Sequence, residues 1–211
     1  MTVSERLDHA EASYAQLTAQ YAKTHFEGTD TATRLAALIR DEPITELTTG
    51  SQRLFFVRRS TSDAGISYRV FRTELSAIIG EEDIGHCEIS RIASGICSIV
   101  DAEVARSYQR KGIASAMYDL IASDMTTAGG LLWPVSPAKM TDAEFKIWWR
   151  RSPALVFYYP HRDRLGLLPR SEFDALFDIS PSTGVWEKSL AYCLMLLSRI
   201  RRTAGFIGLR L

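Results

Sequence analysis

Apolar side chains recur along the opening stretch at alternating spacings of three and four: Val3, Leu7, Ala10, Tyr14, Leu17 and Tyr21. Glu5, Asp8, Glu11 and Gln16 fall off that stripe. The spacing predicts an amphipathic helix of about six turns with one buried stripe, and Ser4 as its N-cap. The heptad series is too short to specify a dimer helix, and a homodimer is left open. A second helix is expected over Thr31–Arg40, closed by Pro43.

The pattern then changes to strands. Arg53–Ser60 and Ile66–Thr73 read as a hairpin, with turn residues at Asp63–Gly65. Ile84–Ile92 and Gly95–Val104 read as two more strands around a turn at Ser94–Gly95. Four strands with short connections predict an antiparallel meander. A helix follows over Gly112–Met125, with Ile113, Ala116, Met117, Leu120 and Ile121 on its apolar face. Gly129–Gly130 stops it, and Leu131–Val135 reads as a buried strand before Pro137. Thr141 caps a helix to Arg150 that carries Phe145, Trp148 and Trp149. Ala154–Tyr159 reads as a strand ended by Pro160. Beyond it, Ser171–Phe177 and Val185–Arg199 are expected helices, and Phe206–Leu211 an edge strand. With no repeat or linker, the chain is expected to form one α/β domain. N-terminal helices occupy 1–45, a core 52–159 and a helical extension 160–211.

Composition narrows the class. The 211 residues are 46% apolar and 24% charged, which excludes disorder as the main state. Lys+Arg and Asp+Glu each number 25, so a dedicated nucleic-acid binder with a basic surplus is not expected. Cys87, Cys97 and Cys193 are too few for a disulfide framework and lie in apolar stretches, as buried reduced thiols do. Met1–Ala10 leads into no apolar leader, and Leu190–Leu197 is too short to span a membrane before Arg199, Arg201 and Arg202. The Arg199–Arg202 cluster reads as a solvated helix end. These features predict a soluble cytoplasmic protein with no membrane partner.

The chemistry lies in Val104-Ala-Arg-Ser-Tyr-Gln-Arg-Lys-Gly-Ile-Ala114. A strand ends, a donor-rich turn follows, Gly112 allows close backbone approach, and an amphipathic helix begins. Unpaired N–H groups and the positive end of the dipole make such a helix start an anion site. Gln109, Arg110 and Lys111 surround it, and Ala114 keeps the seat small.

These residues resemble the acetyl-CoA signature of the GNAT superfamily of N-acetyltransferases, Gln/Arg-x-x-Gly-x-Gly/Ala, here Gln109-Arg110-Lys111-Gly112-Ile113-Ala114. Val104 stands eight residues before the glycine and Tyr108 four before it, as is common in that family. The resemblance spans Gln52 to Tyr159. It implies a mixed, mostly antiparallel sheet with a splayed parallel strand pair, flanked by helices, with extra helices at both termini. It implies acetyl-CoA as acyl donor, its pyrophosphate on Gln109–Ala114 with Ser115 beside it. The pantetheine arm would run along Ala102, Glu103 and Val104, and Leu131–Val135 would splay away to open a gap for the thioester. The Trp-Pro-x-Ser-Pro run at 133–137, with Thr141 and Trp148–Trp149, further resembles acetyltransferase-like proteins of tailed bacteriophages.

The match fails at the acid. The family's tyrosine, which protonates the departing thiolate, is replaced by Trp149, whose indole N–H is no usable acid. Tyr158, Tyr159 or the more remote Tyr118 could substitute, or serve only in packing. For the base, strand alternation sends Asp101 and Glu103 to one face, away from an even face of Ile96, Val100, Ala102 and Val104 expected on the core. Glu88 is a third carboxylate, and His86 is read as structural. No Cys/His pair has zinc spacing, and there is no Gly-x-Ser-x-Gly elbow or Walker loop. The expected function is acetyl transfer to a small-molecule or protein amine by direct attack, the alternative a non-catalytic relative that keeps the CoA site.

Overall fold

Between Ile44 and Val104 the chain folds into five antiparallel strands, β2 and β4 showing the clearest period-two burial. These are β1 (Ile44–Thr48), β2 (Leu54–Ser62), β3 (Gly65–Phe71), β4 (Gly85–Ala93) and β5 (Ile96–Val104). A sixth, β6 (Leu131–Trp133), joins β5 in parallel. The sheet order is β1-β2-β3-β4-β5-β6. The structure, a computed structural model, describes residues 2–62, 65–152 and 155–156. The helices described are α1 (Val3–Phe26), α2 (Thr31–Asp41), α3 (Glu74–Ile79), α4 (Ile113–Thr127) and α5 (Asp142–Arg151). The fold class is therefore mixed α/β, as expected. None of these helices is long and apolar enough to cross a membrane.

The chain divides into two compact units. In the unit Ala12–Val135, one sheet face carries Val57, Tyr68, Val70, Cys87, Ile89 and Ile99, all buried. α4 lays Ile113, Met117, Ile121 and Met125 on it, and Cys87 Sγ comes within 4.0 Å of Met117 Sδ. Burying each such side chain contributes roughly 1.5–3 kcal/mol. α2 adds Leu35 and Ile39. The α1 residues of this unit meet the β5–β6 end. Tyr14 Oη donates to the Pro134 carbonyl at 2.8 Å, and the Tyr21 ring lies 5.3 Å from that of Trp133.

A charge also sits in this core. Arg59, 3% exposed, points inward beside Val57 and reaches both carboxylate oxygens of Asp124 at 3.0 and 3.1 Å. Tyr68 donates to the same carboxylate at 3.0 Å, and Arg59 also donates to the Glu42 carbonyl. The network ties α4 to β2, β3 and the end of α2. Burial, then the Asp124 charge, pushes the Tyr68 phenol well above its ordinary range.

In the other unit, α1 begins with a reciprocal cap. Thr2 Oγ1 accepts from the Glu5 N–H, and the Glu5 carboxylate accepts from the Thr2 N–H. Thr2, not Ser4, is the N-cap, because only Thr2 has a carboxylate three positions on. α5 has the expected cap at Thr141, completed by Glu144. It buries Phe145, Trp148 and Trp149, with the Phe145 and Trp149 rings stacked at 5.4 Å.

Two further expectations shift. The fully buried stripe of α1 is Ala10, Tyr14, Thr18 and Ala22, with Leu7, Leu17 and Tyr21 half-buried, since one narrow face is covered. β1 and α3 appear where no element was expected. The turn residues Asp63–Ala64, most of the Ala154–Tyr159 strand, Cys193, the Arg199–Arg202 cluster and the elements expected over Ser171–Leu211 lie outside the described residues. Leu155 is described, and its N–H bonds the Ser152 carbonyl in a turn.

Candidate active site

β5 changes character halfway along. Ile96, Cys97, Ser98 and Ile99 are all buried. The parallel ladder pairs Ile96 with Leu131, Cys97 with Leu132 and Ser98 with Trp133, and goes no further. Ser98 Oγ closes it with a 2.9 Å bond to the Trp133 carbonyl. Past this point, among the described residues, β5 has no strand partner on the β6 side from Ile99 to Val104. The parallel pair is thus limited to three residues on each strand.

On the β4 side the register slips between the pairs Glu88–Asp101 and Ile89–Ile99, leaving Val100 as a bulge. A bulge interrupts alternation and increases local twist. Val100 is 51% exposed, and Asp101, Ala102 and Glu103 are exposed with it. The expectation that Val100 and Ala102 pack on the core is therefore corrected. The extra residue turns Val100 outward, and the covered part of the strand ends at Ile99.

Asp101 and Glu103 do share a face. Residues directly opposite across a ladder share a face, and the pairs Glu88–Asp101 and His86–Glu103 gather four titratable groups there. His86 Nε2 lies 2.9 Å from Asp101 Oδ2. Arg69 stands opposite His86 on β3 and pairs with Asp83 at 3.5 Å.

After Val104 the chain makes a 3-10 turn, Arg106–Tyr108, and enters α4 through Gly112. Gly112 occupies the N-cap at φ 81°, a left-handed conformation that favours glycine. It offers no side chain to the first turn of α4, and that turn holds no acidic residue. By contrast α2, α3 and α5 are capped by Asp30, Thr73 and Thr141. The positive end of α4 is thus left uncompensated by a cap. A Cβ on Gly112 would stand 3.6 Å from Thr49 Cβ, so the β1–β2 turn borders the same spot.

The three polar side chains of the motif play different parts. Gln109 Nε2 donates to the Val104 carbonyl at 2.9 Å and so buckles the loop to the strand end. Lys111 Nζ donates to the Ser107 carbonyl at 2.7 Å and sits 4.4 Å over the Tyr108 ring. Arg110 is exposed at φ 59° and has no hydrogen bond or ion pair among the described residues. Gln109 and Lys111 therefore hold the loop's own shape, and Arg110 is the exposed cation of the three that makes no such contact among the described residues. Ile113 is buried, while Ala114 and Ser115 are half-buried along the first turn.

Tyr158 and Tyr159 lie outside the described residues. Tyr118 is 1% exposed within the α4 core, and Trp149 is buried against Phe145. Sequence reasoning missed the His86–Asp101 contact, the bulge and the buried Arg59. Only Arg59 left a signal, since it shares strand parity with Phe55 and Val57. No protein-family model matches the chain, and no curated protein sequence matches it.

Proposed function

We propose that this chain is an acetyl-CoA-dependent N-acetyltransferase of the GNAT superfamily, moving an acetyl group to a primary amine by direct attack on the thioester. The observation that carries the reading is one juxtaposition. The β5 edge released by β6 leads directly into the uncapped start of α4. An extended pantetheine arm needs a bare strand edge, and a pyrophosphate needs unpaired N–H groups and positive charge. In this reading the arm lies along Ala102–Val104. The pyrophosphate takes the N–H groups at Ile113 and Ala114, with Arg110 beside it. Gln109 and Lys111 hold the loop, and Asp101 and Glu103 face the acceptor side. Tyr159 stands as the acid that returns a proton to sulfur.

A calorimetric and thermal-shift titration with acetyl-CoA tests this. Binding to the native state raises stability by RT ln(1+[L]/Kd), about 2.7 kcal/mol at a hundredfold excess over Kd. Gly112→Glu, which puts a carboxylate into the pyrophosphate seat, should weaken binding about ten- to a thousand-fold in a folded protein. No heat and no shift at millimolar acetyl-CoA would overturn the reading.

One observation favours a second reading, a non-catalytic relative that keeps the CoA site. Trp149, at the position of the family's acid, is buried and stacked on Phe145. Thiol release from acetyl-CoA against a panel of amines and peptides separates the two. Binding without release in both wild type and Trp149→Tyr selects the second.

A further inference from the structure

We propose that His86, oriented by Asp101, is the base that takes the proton from the acceptor amine. This role rests on the acetyltransferase reading and changes what Asp101 does within it. A carboxylate 2.9 Å from Nε2 can only accept, so the neutral imidazole keeps its hydrogen on Nε2. Its lone pair is then on Nδ1, which has no hydrogen-bond partner among the described residues. The His86 side chain is 30% exposed, open enough to be reached and covered enough to be held.

Placement supports the role. Asp101 adjoins the bulge at Val100, level with the length of β5 past the β6 pairing, so the pair stands beside the gap proposed for the thioester. Both residues lie on the sheet face away from α4, so an acceptor reaching them approaches opposite the pyrophosphate seat. The charged groups on the His86 face are Asp101 and Glu103 on β5, Glu88 on β4, Arg69 on β3, engaged by Asp83, and Arg58 on β2 beyond Arg69. Three carboxylates adjoin His86, the nearer guanidinium is paired with Asp83 and the other stands two strands away, which favours a cationic acceptor, a protonated primary amine. That substrate needs a base before it can attack.

The step balances. The amine nitrogen forms a bond to the thioester carbonyl carbon as the C–S bond breaks. The C–S electron pair leaves with sulfur as the thiolate. The ammonium nitrogen loses two protons in all. The first passes to His86 Nδ1 and frees the lone pair for attack, with Asp101 stabilising the resulting imidazolium. The second, shed as the amide forms, neutralises the departing thiolate to the free thiol. Asp101 is then a positioning residue, and His86 the group that meets substrate.

Two measurements test this. In steady-state kinetics, His86→Gln should lower kcat at least about a hundredfold, abolish the rising limb of the pH profile and leave acetyl-CoA affinity unchanged. Asp101→Asn should lower kcat and leave acetyl-CoA affinity unchanged, because the ring is no longer oriented toward the acceptor. Independently of turnover, long-range 1H–15N spectra of the wild type should show His86 as the Nε2–H tautomer, lost in Asp101→Ala. A His86→Gln enzyme with wild-type kcat and limb, or an Nδ1–H tautomer in the wild type, overturns the role and leaves the acetyltransferase reading standing. A wild type that binds acetyl-CoA and acetylates no amine overturns both.

Discussion

Arg110 holds a left-handed backbone at φ 59°, which costs a residue with a side chain roughly 1–2 kcal/mol. The two neighbouring left-handed positions therefore predict opposite behaviour. Arg110→Gly removes the strain and should leave stability unchanged or raise it by up to about 1 kcal/mol, a shift in Tm of roughly 2–4 °C. The same change removes a cation from the proposed pyrophosphate seat, so acetyl-CoA affinity should fall about tenfold, roughly 1.4 kcal/mol. Gly112→Ala introduces strain at φ 81° and should destabilise by about 1–2 kcal/mol. Urea titration with calorimetry on each variant checks both. If Arg110→Gly binds as tightly as wild type, the arginine has no part in the seat. This loop was legible in the sequence because its signal is local: glycine, flanking cations, strand before and helix after. His86–Asp101 was not, because it depends on the β4–β5 register, and that register includes a bulge no local pattern announces.

Elements with strong periodicity were legible to within a residue or two. The short ones were not. β1 has one buried residue in five, and α3 exposes Leu75, Ile78 and Ile79, so neither carries a burial rhythm. What fixes α4 is less visible still. Its apolar face includes Asp124, 6% exposed, which looks like an error of patterning until Arg59 and Tyr68 are seen against it. Removing one partner of a buried ion pair strands the other, at a cost of about 3–5 kcal/mol. Asp124→Ala should therefore destabilise by that amount, and Tyr68→Phe by about 1 kcal/mol for one lost hydrogen bond. Chemical denaturation measures both. A cost below about 1 kcal/mol for Asp124→Ala would mean that apolar burial alone holds the helix.

At the scale of the whole molecule, the balanced charge hides an alkaline weakness. Burial raises the Tyr68 phenol above its ordinary value, and burial pushes the Cys97 thiol up to about 11, with Arg91 opposing. Both groups hold their protons more firmly folded than unfolded. Their contribution is complete below the unfolded values, about 8.5 for cysteine and 10 for tyrosine. It is lost as pH rises past those values toward the folded ones. Stability should fall progressively above about pH 9, and the advantage of wild type over Tyr68→Phe should shrink above pH 10. Denaturation curves at pH 7, 9 and 10.5 test this, and a constant gap would show that the phenol ionises alike in both states. The length of β5 past the β6 pairing carries a different consequence. An unpaired strand edge is a template for any extended chain, including another copy of the same protein. The other outer strand, β1, is short, preceded by Pro43 and marked by Glu46. On β5 the guard is the kink at Val100 and the charges of Asp101 and Glu103. Neutralising both carboxylates should therefore promote edge-to-edge self-association, so a variant made to probe the proposed base would also lose colloidal solubility.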